Sequence, residues 1–111
     1  ALSVTENMLQ AQPNLKGLFS VNDNGSLGAL AAIESSGMDV KLTSVDGAPE
    51  AVKEIQKPNS KFIATSAQYP RDQVRLALGL ALAKKWGSQV PATIPVDILL
   101  VDQAKAKTFT W

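Results

Sequence analysis

The chain has 111 residues, enough for one domain and no more when domains run to roughly 100–200 residues. Eleven basic and ten acidic side chains leave a net charge of +1, which argues against a nucleic-acid or anionic-membrane binder, whose affinity needs an excess of clustered basic side chains. Cysteine and histidine are both absent, so disulfides, thiol nucleophiles, imidazole bases and Cys or His metal sites are excluded together.

With 45% apolar and 19% charged residues, the composition is that of a folded domain, and with neither thiol nor imidazole an enzyme is not the expected answer. No catalytic residue, metal or cofactor is expected. Ala1–Gln12 has neither the basic start nor the apolar core of a secretory signal, and no run reaches the 18 apolar residues of a membrane span.

In chain order, Ser3-Val4-Thr5-Glu6 has the spacing of a capping box and predicts a short helix that Pro13-Asn14 ends. Leu15–Val21 reads as a buried strand, closed by the turn-rich Asn22-Asp23-Asn24-Gly25. Ser26 opens a second helix with Leu27, Leu30, Ala31 and Ile33 on one face, and Gly37 sits where a left-handed C-cap ends it. Val40–Val45 is the next strand. Pro49 suits the first turn of a helix over Glu50–Lys57, with Val52 and Ile55 inward and Pro58 as its stop. Phe62–Ala67 is a third strand, ended by Gln68-Tyr69-Pro70. Arg71–Trp86 is the longest helix, and its segment Leu76–Ala83 is apolar almost all round, as in a helix covered on more than one side. Gly87 ends it, Val96–Val101 is a last strand, and Gln103–Trp111 is a tail.

The repeated αβ units predict an α/β fold: a Rossmann-like parallel sheet with helices on both faces, in three α/β/α layers. In such sheets ligands bind beyond the carboxyl ends of the strands. Those ends here carry Asn22-Asp23, Asp46-Gly47 and Gln68-Tyr69. Asp accepts hydrogen bonds, while Asn and Gln both donate and accept, a set that matches a polyhydroxylated ligand such as a sugar. The alternative for Asp23 and Asp46 is that they cap helices. Tyr69 could stack on a sugar face or pack internally. Gly25-Ser26-Leu27-Gly28 lacks the Lys-Ser/Thr of a phosphate loop, and Lys84-Lys85 and Lys105-x-Lys107 read as solvated.

Leu15-Lys16-Gly17-Leu18-Phe19-Ser20-Val21-Asn22-Asp23, running into Leu27-Gly28-Ala29-Leu30, resembles the ribose- and galactose-type periplasmic sugar-binding proteins of ABC transporters. Ser44-Val45-Asp46-Gly47-Ala48-Pro49-Glu50-Ala51 is similar to that family's Asp-Gly strand end. Ile63-Ala64-Thr65-Ser66-Ala67-Gln68-Tyr69-Pro70 is similar to its hinge segment, and Val96-Asp97-Ile98-Leu99-Leu100-Val101 to its last strand.

The resemblance implies a non-catalytic protein of two Rossmann-like lobes that closes over a monosaccharide and presents it to ABC permease subunits outside the cytoplasm. Residues 1–102 would be part of the C-terminal lobe, 103–111 a tail, and helix 71–86 would pack in the other lobe. Asn22, Asp46 and Gln68 would be ligand contacts, with Asp23, Val45 and Tyr69 adjacent and Gln68 at the hinge crossing. Ribose-type members often carry an aromatic residue before the ligand Asp; Val45 stands there instead. The resemblance covers only part of the two-lobed architecture, so the chain alone is expected to bind sugar weakly or not at all. It is also expected to self-associate, with Arg71–Trp86 exchanged between copies. Two other classes compete: the effector domain of a lac-repressor-type regulator, and a small domain using Asp23 or Asp46 as phosphoacceptor. The second lacks a strand-end Lys.

Overall fold

A computed structural model describes residues 1–110; Trp111, the end of the tail, lies outside the described residues. The elements are α1 (Leu2–Ala11), β1 (Gly17–Phe19), α2 (Asp23–Ser36), β2 (Lys41–Asp46), α3 (Pro49–Gln56), β3 (Phe62–Ala67), α4 (Pro70–Lys85), β4 (Leu99–Asp102) and α5 (Gln103–Ala106). The strands lie in the order β1-β2-β3-β4. The α/β class read from the sequence is the class of the structure.

β1, β2 and β3 are parallel, but β4 runs antiparallel to β3, so the sheet is mixed. The chain leaves the sheet at the end of β3 and comes back along the same edge, pairing Leu99 with Ala67. This pairing also explains why β4 begins at Leu99 rather than at the expected Val96. Residues 96–98 run beyond the carboxyl end of β3 and find no ladder partner.

Both crossovers, β1-α2-β2 and β2-α3-β3, step in the same direction. Right-handed connections therefore put α2 and α3 on the same face. The strands record this in their alternation. Leu42, Ser44, Phe62, Thr65, Ala67 and Val101 are buried beneath the helices. On the opposite face Phe19 and Leu100 are each 64% exposed, and Thr43, Val45 and Ser66 are half-buried. α1 packs on α2, with Gly28 at the crossing, where a Cβ would stand 3.2 Å from that of Ala1. The core is Ile33, Leu30, Val40, Leu42, Val52, Ile55, Phe62 and Val101.

Several local signals act as expected. Gly37 takes the left-handed C-cap of α2 at φ 69°, Pro49 opens α3, and Val52 and Ile55 face inward. Others do not. Ser3 lies inside α1, whose N-cap is Ala1 without a side-chain cap, so the Ser3–Glu6 capping box is not formed. α2 begins at Asp23, three residues before the expected Ser26, because Asn22 is its cap. Ala31 is exposed, and the buried face of α2 runs through Ala29, Leu30, Ala32 and Ile33.

The C-terminal segment is docked. Asp102 accepts a hydrogen bond from the Lys105 backbone N–H at 2.8 Å and starts α5, Ala106 is buried, and Gln56 Nε2 donates to the Ala106 carbonyl at 2.6 Å.

α4 finds no cover in this chain, as the two-lobed reading expects. None of its residues is buried, and Val74, Leu78 and Leu82, with Trp86 just after the helix, are exposed. The molecule is accordingly elongated, 58 × 30 × 17 Å, with a radius of gyration of 17.8 Å against about 13 Å for a compact chain of this length.

Asp39, just before β2, accepts from Lys61 Nζ at 2.5 Å and Lys41 Nζ at 3.1 Å, tying the starts of β2 and β3. The hydrogen bond from Lys61, followed by that from Lys41, holds its carboxyl at about 2, below the ordinary 3.8. A depressed carboxylate stabilises the fold fully above its unfolded value and loses that contribution as pH falls through its folded value. Urea midpoints of the native chain should therefore fall between pH 4 and pH 2 more steeply than those of D39N, and high salt should narrow the difference.

Candidate functional site

The carboxyl ends of the three parallel strands lie side by side, because β1, β2 and β3 are neighbours in that order. Asn22, Asp46 and Gln68 therefore stand along one edge, one strand apart. Hydrogen bonds tie Asp46 to both neighbours on this edge. Asp23 N–H donates to Asp46 Oδ2 at 3.2 Å, and Gln68 N–H donates to the Asp46 carbonyl at 3.3 Å.

Asn22 is exposed and caps α2, its Oδ1 accepting from Gly25 N–H at 2.7 Å. Its Nδ2 donates to no group among the described residues. Asp46 is half-buried; Oδ2 is engaged by Asp23 N–H, and Oδ1 accepts nothing among the described residues. The Gln68 side chain is likewise unengaged there, although its carbonyl accepts from Gln73 Nε2 at 2.5 Å. One donor group, one acceptor and one amide that does both are thus left without partners among the described residues along a single edge. Tyr69 is half-buried and left-handed at φ 50°, with its ring 6.3 Å from that of Phe109. Val45 belongs to the sheet face opposite the helices and is half-buried.

Asp23 is different. It is 1% exposed, and its partners are all donors. Oδ1 accepts from Ser44 Oγ and from Thr65 Oγ1, the latter at 2.8 Å, while Oδ2 accepts from Ala48 N–H at 2.6 Å. The two aspartates exchange helices: Asp23 begins α2 and serves the head of α3, whereas Asp46 precedes α3 and serves the first N–H of α2. Each does satisfy a helix start, but not the nearer one. Ser44 and Thr65 are not among the site residues expected from the sequence. Their signal in the sequence is a hydroxyl at an inward strand position where an aliphatic residue belongs.

The turn after β2 is tightly constrained. Asp46 has φ 129°, a conformation that costs a non-glycine residue about 1–3 kcal/mol, and Gly47 follows at φ 78°. A Cβ on Gly47 would come within 2.6 Å of the Ala67 Cβ, so only glycine lets β2 and β3 finish side by side. Gly47 N–H donates to Thr65 Oγ1 at 3.2 Å. A separate hollow of about 270 Å³ lies between α1 and α2, lined by Glu6, Leu9, Ala32 and Met38. It sits near the far end of α2, about 20 Å along the helix from Asn22.

Residues 1–88 match the family model of the periplasmic binding protein domain. The chain belongs to that family. This periplasmic binding protein chain is 40% identical over 103 residues to the ribose import binding protein of Salmonella typhimurium, covering 90% of this chain and 33% of the relative. It is 35% identical over 105 residues to the D-allose-binding periplasmic protein of Escherichia coli, covering 92% of this chain and 33% of the relative. Among solved structures, a periplasmic solute-binding protein of an ABC transporter from Actinobacillus succinogenes, with bound D-allose, superimposes at a TM-score of 0.89 and 34% identity. That superposition covers 97% of this chain and 38% of the other. The chain thus spans about a third of the length of the curated relatives it matches.

For the turn, Gly47→Ala should destabilise the fold by about 2–4 kcal/mol, combining a side chain at positive φ with overpacking against Ala67. Equilibrium urea denaturation measures this directly.

Proposed function

We propose that this chain is the C-terminal sugar-binding part of an extracytoplasmic solute-binding protein that feeds an ABC transporter, and that it binds without catalysing a reaction. The alignment of three partly unengaged polar side chains at neighbouring strand ends carries this reading. Asn22 Nδ2 donates, Asp46 Oδ1 accepts, and Gln68 does both, as adjacent hydroxyls of a monosaccharide require. Asp23 N–H supports Asp46 from beside it, and Val45 and Tyr69 flank the edge, Val45 with methyl groups instead of an aromatic face. Relatives named for the import of ribose and the periplasmic binding of D-allose support a monosaccharide ligand and a place outside the cytoplasm. They favour transport over the regulator reading.

Residues 1–102 are then a portion of the C-terminal lobe, and 71–86 pack in the other lobe of the whole protein. The exposed apolar surface of α4 and its departure from the sheet at Gln68 support this, with Gln68 at the crossing between lobes. Closure of the whole protein over its sugar would present the loaded form to permease subunits.

Three hydrogen bonds at about 1 kcal/mol each fall short of the roughly 4 kcal/mol that a millimolar constant represents. The chain alone should therefore bind D-ribose or D-allose with a millimolar or weaker constant. In ¹⁵N-labelled chain, high sugar concentrations should move the amides of Asn22, Asp46 and Gln68, and D46A should abolish the response. A micromolar constant, or shifts centred elsewhere, would contradict the reading.

The same exposed helix supports self-association of this chain, with Arg71–Trp86 exchanged between copies. Light scattering should give at least twice the chain mass at high concentration. The double variant L78E/L82E should bring it down to a monomer.

A further inference from the structure

We propose that Asp23 is the positioning residue of the strand-end site, its buried carboxylate fixing residues 46–48 in the strained turn that aims the Asp46 carboxylate. The proposal rests on the reading of Asp46 as a ligand contact and assigns the residue that makes such a contact possible.

Asp46 stands at φ 129°, which an aspartate does not hold by itself. The backbone after it is gripped at two successive amides. Gly47 N–H donates to Thr65 Oγ1 at 3.2 Å, and Thr65 Oγ1 donates its own hydrogen bond to Asp23 Oδ1 at 2.8 Å. Ala48 N–H donates straight to Asp23 Oδ2 at 2.6 Å. Both grips end on one carboxylate, and the backbone N–H of that same residue donates to Asp46 Oδ2 at 3.2 Å. Asp23 therefore determines both the turn that carries Asp46 and the rotation of its side chain, which leaves Oδ1 for a ligand.

Burial makes the arrangement intolerant. At 1% exposure, Asp23 has no water to substitute for a lost partner. An asparagine there has a single acceptor oxygen. Facing the Ala48 N–H, its NH₂ would set donor against donor; facing the Ser44 and Thr65 hydroxyls, it would leave their O–H groups without the acceptor that Oδ1 provides. A side chain that served only to cap α3 would be released from this demand, because the Thr65 link would not matter to Asp46.

The test uses the full ¹⁵N-labelled chain with D-ribose and D-allose as probes. In D23N, the three-bond HN–Hα coupling of Asp46 should leave its native value, and Ala48 amide exchange should accelerate at least tenfold. Ile33 and Val101 amides should stay protected, and the response of residues 22, 46 and 68 to sugar should weaken at least fivefold. If D23N does not fold, T65V carries the test: it removes the Gly47–Thr65–Asp23 link and should shift the Asp46 coupling, while T65S should restore it. A folded D23N or T65V with native Asp46 coupling would overturn the proposal. So would a moved turn with an undiminished sugar response. If native chain shows no response to either sugar while the variants still move the turn, the expected sugar contact by this chain alone fails and the positioning of Asp46 by Asp23 stands.

Discussion

The carboxylate of Asp23 is where four separate stretches of chain meet: the start of α2, the interior of β2 at Ser44, the interior of β3 at Thr65, and the head of α3 at Ala48. A carboxylate buried among aliphatic side chains is costly unless donors reach both of its oxygens, and here two hydroxyls meet Oδ1 and one amide meets Oδ2. That requirement propagates outward. It calls for small hydroxyl residues on the covered face of two neighbouring strands, for a helix whose first turn approaches them, and for a turn after β2 that brings Ala48 N–H back over the sheet. Gly47 is the complementary constraint, since only a missing side chain allows that turn to pass Ala67.

Much of this was legible in advance, and the legible parts share a cause. β3 has the bounds read from Phe62 to Ala67, Pro49 opens α3, and Gly37 closes α2, because proline and glycine restrict or release the backbone at their own positions. The candidate edge was also readable. Alternating strands and helices bring successive carboxyl ends together, so Asn22, Asp46 and Gln68 become neighbours whatever the details of packing.

The features that escaped depend on partners distant in sequence. Whether Asp23 caps its own helix or another cannot be decided without Ser44, Thr65 and Ala48, which lie 21, 42 and 25 residues away. The start of β4 depends on where β3 stops, and its antiparallel sense depends on how the excursion through α4 comes home. The apolar character of α4 predicts cover on several sides. In this chain it meets solvent, because hydrophobicity specifies that a surface should be buried and leaves open what buries it.

The pairing of Ala67 with Leu99 has a mechanical side. Everything between them, roughly thirty residues including α4, departs from and rejoins the sheet at two adjacent points. A helix of 16 residues is about 24 Å long, so a twist of about 10° at that joint sweeps its far end through about 4 Å. Gln68 and Tyr69 occupy the fulcrum of that lever, next to the Asp46 carbonyl. A displacement of the far end of α4 would arrive reduced at the row of side chains at the strand ends, and a small adjustment in that row would be magnified on its way out.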